Sequence, residues 1–376
     1  MTRKPFVFGV AVDAEHFIGR EKEIEKLVSH MRYGVNTILI SPRRWGKTSL
    51  VNRVAREVAD EHLKVVKVDI FSCRSEYDFY NAFASALLQQ TASRLEEWRQ
   101  NAQEFLSRLV PRLSFSPEPN HDFSLSLGIT PKNYTPEEIL NLPERIAQKK
   151  GYRIVVCIDE FQQIGDFPDS MSVQKRMRTV WQHQKNVSYC LYGSKKHMMS
   201  ALFQQRSNPF YKFGTTMYLD VISTDDWLPY LCDRFEQEGK HLPRPLAERI
   251  CAMVDNHPSY VQQLAFNTLI CTRGDTAEEE SLAEAYSSLI DENTPLFMEK
   301  TERLTTYQMN FLRAIIAGVH QDFGAAEIRE EYNLGAPSNI VRIKHVLIEK
   351  EFVDILPNGI YIADPILKDW LQRNIT

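Results

Sequence analysis

Thr37-Ile-Leu-Ile-Ser-Pro-Arg-Arg-Trp-Gly-Lys-Thr-Ser-Leu-Val-Asn-Arg-Val54 is the stretch on which the fold turns. Thr37 to Ile40 is a short apolar run that reads as a strand, and from Lys47 to about Asp60 the apolar residues recur at helical spacing. Between them, Ser41 to Thr48 fits G-x-x-x-x-G-K-[ST] at every position but the first, where Ser41 replaces Gly. A loop of this kind, joining a strand to a helix, turns backbone N–H groups and the positive end of the helix dipole onto one anion. The pattern therefore predicts a polyphosphate site. Lys47 would set its charge against the β- and γ-phosphates, Thr48 would offer its hydroxyl to Mg2+, and Gly46 would let the backbone approach closely. Pro42, Arg43, Arg44, Trp45 and Ser49 complete the expected nucleotide-binding loop. Ser41 is small and lies where the strand leaves for the loop, so the geometry is expected to survive the departure.

Working outward, Val65 to Phe71 is again strand-like and completes a β-loop-α-β unit. Tyr152 to Ile158 and Val187 to Tyr192 are two more continuous apolar runs, separated by a helical pattern over Val173 to Gln184. Continuous rather than alternating apolar strands predict a parallel sheet covered on both faces. The first of these runs, Ile154-Val-Val-Cys-Ile-Asp-Glu160, ends in two adjacent carboxylates. Such a strand is expected beside the loop strand, with Asp159 holding Mg2+ through water and Glu160 orienting and deprotonating an attacking water. No N-K-x-D guanine signature occurs, which favours ATP over GTP. The second run ends in Gly193-Ser194, where Ser194 can reach a γ-phosphate, with Tyr192 a poorer candidate. A plain Gly-Ser turn is the competing reading.

With 376 residues, the chain exceeds one ordinary core. Its pattern divides into an α/β core over 1–222, a helical domain over 223–298 and a winged-helix-like domain over 299–376. Within the core, strict alternation around Phe115, Phe123, Leu125, Leu127 and Ile129 predicts a β-hairpin insertion at about 111–131. The net charge of −4 gives no polyanion-binding bias. The absence of a membrane-length apolar run or secretory leader in the sequence leads to the expectation of a soluble, cytoplasmic protein. The six scattered cysteines read as reduced packing residues.

In the last stretch, helices over Tyr307 to Val319, Ala325 to Glu331 and Pro337 to Glu349 precede two short strands around Pro357-Asn-Gly359. That order is a winged helix. A DNA-reading example would use Ser338, Asn339, Arg342, Lys344 and His345 of the third helix. From Thr301 to Thr376, however, ten acids face eight bases, so a phosphate-neutralising surface is not obvious.

Phe17-Ile-Gly-Arg20, the Pro-Arg-Arg-x-Gly-Lys-Thr-Ser loop, Ile158-Asp-Glu-Phe-Gln162, Gly193-Ser194 and Asn256-His-Pro-Ser-Tyr-Val-Gln262 together resemble the archaeal-ATPase branch of the STAND and AAA+ P-loop ATPases. The resemblance implies Mg-ATP binding and hydrolysis. It also implies that Phe17, Ile18, Gly19 and Arg20 pack by the adenine, that the helical domain over 223–298 is the lid, and that His257-Pro258 reaches the phosphates from that lid. Asn256 departs from the family, which often has Gly there. An arginine supplied by a neighbour is common in the family; Arg206 is the candidate, in competition with Arg43, Arg44, Arg176 and Arg178. Two functional classes follow: a regulatory or signalling ATPase acting on a protein partner or a second copy, and a DNA-handling ATPase resembling replication initiators.

Overall fold

Thr37–Ile40 is a strand whose residues are all buried, and four further parallel strands build outward from it. The computed structural model describes residues 4–92, 97, 100–101, 104–105, 112–113, 125–126, 129–130 and 134–375. The chain falls into two compact units: Arg20–Asp220, and a second made of Met1–Gly19 together with Val221–Thr376.

The first unit runs α1 (Glu21–Tyr33), β1 (Thr37–Ile40), α2 (Lys47–Val58), β2 (Leu63–Asp69), α3 (Glu76–Gln90), β3 (Arg112–Leu113) and β4 (Leu125–Ser126). It continues with α4 (Pro136–Leu140), α5 (Leu142–Lys150), β5 (Arg153–Asp159), a 3-10 turn (Phe161–Asp166), α6 (Ser170–Trp181), β6 (Val187–Gly193), α7 (Lys196–Gln204) and β7 (Thr215–Tyr218). The sheet order is β2-β5-β6-β1-β7. One expectation is corrected here: β5, the carboxylate strand, does not flank β1, because β6 lies between them and pairs with both. All three strands are continuous apolar runs buried on both faces, so nothing in their composition distinguishes the middle one. Their ends are nevertheless level, with Ile40 opposite Gly193 and Ile158 opposite Leu191.

Local chemistry fixes the elements around the sheet. Ser75 caps α3 by accepting from Asp78 N, and Thr135 with Glu138 forms a capping box at α4. Behind the sheet lies an aromatic cluster in which Trp181 stacks on Tyr189 at 4.1 Å and Phe161 packs against Phe203 and Phe210. Phe161 is fully buried, which is worth roughly 1.5–3 kcal/mol for such a side chain, and it anchors the turn that begins at Glu160. Of the hairpin expected at 111–131, Arg112 pairs antiparallel with Ser126 and Leu113 with Leu125. Phe115, Phe123 and Leu127 lie outside the described residues.

The second unit consists of α8 (Thr224–Gln237), α9 (Arg244–Met253), α10 (Pro258–Cys271), α11 (Glu279–Glu302), α12 (Thr306–Ile316), α13 (Ala326–Glu331), α14 (Pro337–Glu349), β8 (Val353–Leu356), β9 (Gly359–Ile362) and α15 (Pro365–Ile375). Position 298 falls inside α11. The helices and the β8–β9 hairpin share one core, to which the first residues of the chain contribute Phe6. Arg234, 3% exposed, donates to the carboxylate and the carbonyl of Glu15, each at 2.9 Å, and Val7 N donates to Gln262. A last helix, α15, follows the expected strands and docks through Tyr260 Oη to Asp364 at 2.7 Å and through Tyr286 to Asp369. No helix among the described residues is long and apolar enough to cross a membrane.

Glu144, at the start of α5, is the buried acid that fixes the entry into β6. Its carboxylate accepts from Lys185 N, Asn186 N, the Asn186 side-chain amide and Gln148 at 2.8–3.1 Å. Removing it leaves two backbone N–H groups and two side-chain amides without their acceptor. Glu144→Ala is therefore expected to lower the unfolding free energy by about 2 kcal/mol or more, with Glu144→Gln costing less, as read by denaturant titration. A loss within about 0.5 kcal/mol, the range of an ordinary surface change, would contradict this role.

Candidate functional site

The level ends of β1, β6 and β5 bring together five of the sequence-derived candidates, Lys47, Thr48, Asp159, Glu160 and Ser194. Gly46 has φ +87°, a conformation open to glycine, and Arg44 holds the left-handed region at φ +66° without that freedom. Helix α2 then begins at Lys47 with no side-chain cap and no acid in its first turn. The positive end of its dipole therefore faces the loop with no carboxylate from its own first turn beside it, where an anion is stabilised. Lys47 is 6% exposed and donates from Nζ to the carbonyls of Ser41 at 2.9 Å and Pro42 at 2.8 Å. Ser41, the departure from the loop pattern, is buried and serves the lysine through its backbone, which any residue can supply.

Thr48 Oγ1 donates to Asp159 Oδ2 at 2.8 Å, reaching past β6 from one strand end to the other. Burial pushes the Asp159 carboxyl up to about 6; the Thr48 hydrogen bond opposes this and the neighbouring Glu160 reinforces it. A carboxylate held this way gains from a cation. Among the described residues no group of three or more His, Cys, Asp and Glu could hold a metal alone. Thr48 and Asp159 nevertheless fit Mg2+, which takes one or two protein oxygens and fills its remaining positions with phosphate and water.

Glu160 stands in the left-handed region at φ +54°, directly after β5. Its Oε2 accepts from Ser194 Oγ at 2.9 Å and from the side-chain amide of Gln162. Ser194, at the end of β6, is 8% exposed. Two participants were not singled out from the sequence. Gln162 is buried at 3% exposure and touches Glu160 directly, while Gly193 lies so close to it that a Cβ there would come within 1.9 Å of Gln162 Oε1. Both stand inside motifs read above, and the signal that could have found them is their spacing of two residues and one residue from Glu160 and Ser194.

Arg20 is 7% exposed and braces the loop: its guanidinium donates to Trp45 O at 3.2 Å, to Glu23 at 3.0 Å and to Asp220 O. Pro42 and Trp45 lie in the same loop and Ser49 is buried in the first turn of α2, whereas Arg43 and Arg44 are exposed. Arg206 sits exposed in the turn after α7, outside this hydrogen-bonded cluster. Of its competitors, Arg176 is paired with Glu76 and Arg178 lies over the Phe213 ring. Phe17, Ile18 and Gly19 belong to the second unit, as do His257 and Pro258, which open α10. Asn256, where the resembled family often has Gly, takes φ +54°, a left-handed conformation that Asn tolerates.

A parallel sheet with a Gly-Lys-Thr loop after its β1 strand, a carboxylate pair at the end of β5 and a polar residue after β6 defines a P-loop ATPase. The chain belongs to the family of ATPase domains found predominantly in Archaea, which it matches over residues 17–264. Residues 295–373 match a probable winged helix domain. Among solved structures, the chain is similar to a Walker-type ATPase of Pyrococcus abyssi, with 17% identity, a TM-score of 0.69 and coverage of 98% of this chain and 100% of that one. It is also similar to the ORC2 protein of Aeropyrum pernix in ADPNP–ADP complexes, with 16% identity, a TM-score of 0.58 and coverage of 96% and 97%. No curated protein sequence matches it.

Arg20 reaches its two carbonyls from separate nitrogens of a planar fork, Nη1 to Asp220 O and Nη2 to Trp45 O, a spread that one lysine ammonium does not reproduce. Arg20→Lys is expected to weaken ATP binding about tenfold by calorimetry, because Trp45 and the loop behind it lose their brace, while far-ultraviolet circular dichroism stays unchanged. Unaltered affinity would leave the brace without consequence for the loop.

Proposed function

We propose that this ATPase hydrolyses Mg-ATP at the Lys47–Thr48–Asp159–Glu160–Ser194 cluster and works as a regulatory switch in the cytoplasm. The observation that carries the site assignment is the Thr48–Asp159 hydrogen bond at 2.8 Å, which joins the loop to the carboxylate strand. Lys47 holds the β- and γ-phosphates, with the N–H groups of Gly46 and the first turn of α2 around them. Thr48 and Asp159 hold Mg2+, which when bound supplies charge stabilisation on the phosphate oxygens. Glu160 takes a proton from the attacking water, and Ser194, its hydroxyl proton donated to Glu160, stands on the β6 side of the γ-phosphate. Arg206, exposed and outside the cluster, is suited to serve another copy rather than its own site. Phe17 to Gly19 are assigned to the adenine. The ADPNP and ADP of the Aeropyrum ORC2 complexes support ATP and ADP as the ligands here. Free thiols at all six cysteines accord with a reducing compartment.

The regulatory reading rests on the surface of the winged module. On α14 Val341 is 71% exposed, and on the β8–β9 hairpin Ile355 is 60% exposed, among ten acids and eight bases from Thr301 to Thr376. An apolar, charge-balanced surface suits a protein partner or a second copy better than a phosphate backbone. The winged-helix match itself favours a second reading, DNA handling through Arg342 and Lys344.

Glu160→Gln is expected to bind ATP normally and to turn over at least ~100-fold more slowly, whereas Lys47→Ala loses most of its nucleotide affinity. A wild-type rate in Glu160→Gln would assign the base elsewhere.

DNA binding measured against salt separates the two readings. Weak, sequence-independent binding that vanishes near physiological ionic strength is the expected result. Tight, sequence-selective binding lost on Arg342→Ala would establish the DNA reading instead.

A further inference from the structure

A general base works only if the oxygen that takes the proton is aimed, and a glutamate has three rotatable bonds by which to miss. Glu160 is restrained from two sides. Ser194 Oγ donates to its Oε2 at 2.9 Å from the end of β6, and the amide of Gln162 donates to the same oxygen from the 3-10 turn. Neither side chain contacts Oε1 through any hydrogen bond among the described residues, so that oxygen is the one left for water.

The orientation of the Gln162 amide is dictated by chemistry. Reversed, it would set its carbonyl oxygen against the Glu160 carboxylate, two acceptors face to face. As it stands, Nε2 meets the carboxylate and the buried Oε1 has no hydrogen-bond partner among the described residues, a cost the fold carries to keep the donor in place. Space for this arrangement comes from Gly193. A Cβ there would lie 1.9 Å from Gln162 Oε1, 3.0 Å from its Cδ and 3.0 Å from Met199 Sδ. Gly193 does not have a positive φ, so it is the slot for the amide, not a backbone conformation, that calls for glycine at this position.

We infer that Gln162 is a positioning residue for hydrolysis. Its N–H and the Ser194 hydroxyl fix Oε2, so that Oε1 of Glu160 receives the water proton as the water oxygen bonds to the γ-phosphorus and the bridging oxygen leaves with ADP. Gly193 is required because it makes room for that amide. The inference rests on the reading of Glu160 as the base.

Three variants are measured beside Glu160→Gln: Gln162→Met, Gln162→Ala and Gly193→Ala. Methionine fills the volume of glutamine but donates nothing. In Gln162→Met and Gln162→Ala, kcat is expected to fall about tenfold, with KM and calorimetric ATP affinity within about twofold of wild type. Gly193→Ala is expected to reproduce the kcat loss through its collision with the amide. A role in packing alone would leave kcat intact in Gln162→Met, and that result, or a raised kcat, overturns the inference. A joint loss of kcat and ATP affinity in Gln162→Met overturns it as well. If Glu160→Gln is slow while Gln162→Met is normal, this inference alone fails. Should Glu160→Gln turn over at the wild-type rate, the assignment of the base fails first and this inference goes with it.

Discussion

The Thr48–Asp159 hydrogen bond closes a gap that the sheet itself leaves open. Neighbouring strands lie about 4.8 Å apart, so β1 and β5, with β6 between them, are about 10 Å apart at their ends. Backbone alone cannot join them. The loop after β1 has to rise over the end of β6 and start α2 there, so that the second residue of the helix meets the last residue of β5. The register that sets Ile40 opposite Gly193 and Ile158 opposite Leu191 makes this reach possible. A one-residue slip of β6 would move Gly193 and Ser194 away from Gln162 and Glu160 together.

Such a cluster runs against stability and is held in place by its surroundings. Asp159 is a partly buried carboxylate pushed up to about 6, Glu160 and Arg44 sit in left-handed backbone, and Gln162 keeps an oxygen with no hydrogen-bond partner among the described residues. Each departs from what a stable core would choose. The compensation stands directly behind them. Phe161, Trp181, Tyr189, Phe203 and Phe210 are all buried in one aromatic cluster, and Arg20 ties down the loop from the other side.

Much of this was legible in the sequence because it is local. Thr37–Ile40 and Pro337–Glu349 form over the residues that their periodicity marked, and the loop between β1 and α2 follows from one short pattern. Sheet order was not legible. β1, β5 and β6 are alike in being apolar throughout, and only the tertiary path decides which lies in the middle. Arg20 read as a ligand-side residue because its motif predicted nearness to the nucleotide, yet its guanidinium is spent on the carbonyls of Trp45 and Asp220. Gln162 carries no signal of its own, since a glutamine after an acidic pair is equally at home on a surface. The association of residues 4–19 with those from 221 onward could not be read either, for it depends on single contacts across some two hundred residues, such as Glu15 with Arg234.

That association orders events on the ribosome. Residues 4–19 emerge before the first unit does, but their partners Arg234 and Gln262 are still unmade. The Arg20–Asp220 unit holds every strand of its sheet within its own span and can complete its core while the chain is growing. The earlier segment must wait for these partners until α8 and α10 are out, and its docking then closes a loop that is already folded and shortened. Folding of the second unit is thereby made to follow synthesis of the ATPase unit, so that a chain truncated before residue 221 has no place to lay its first residues down.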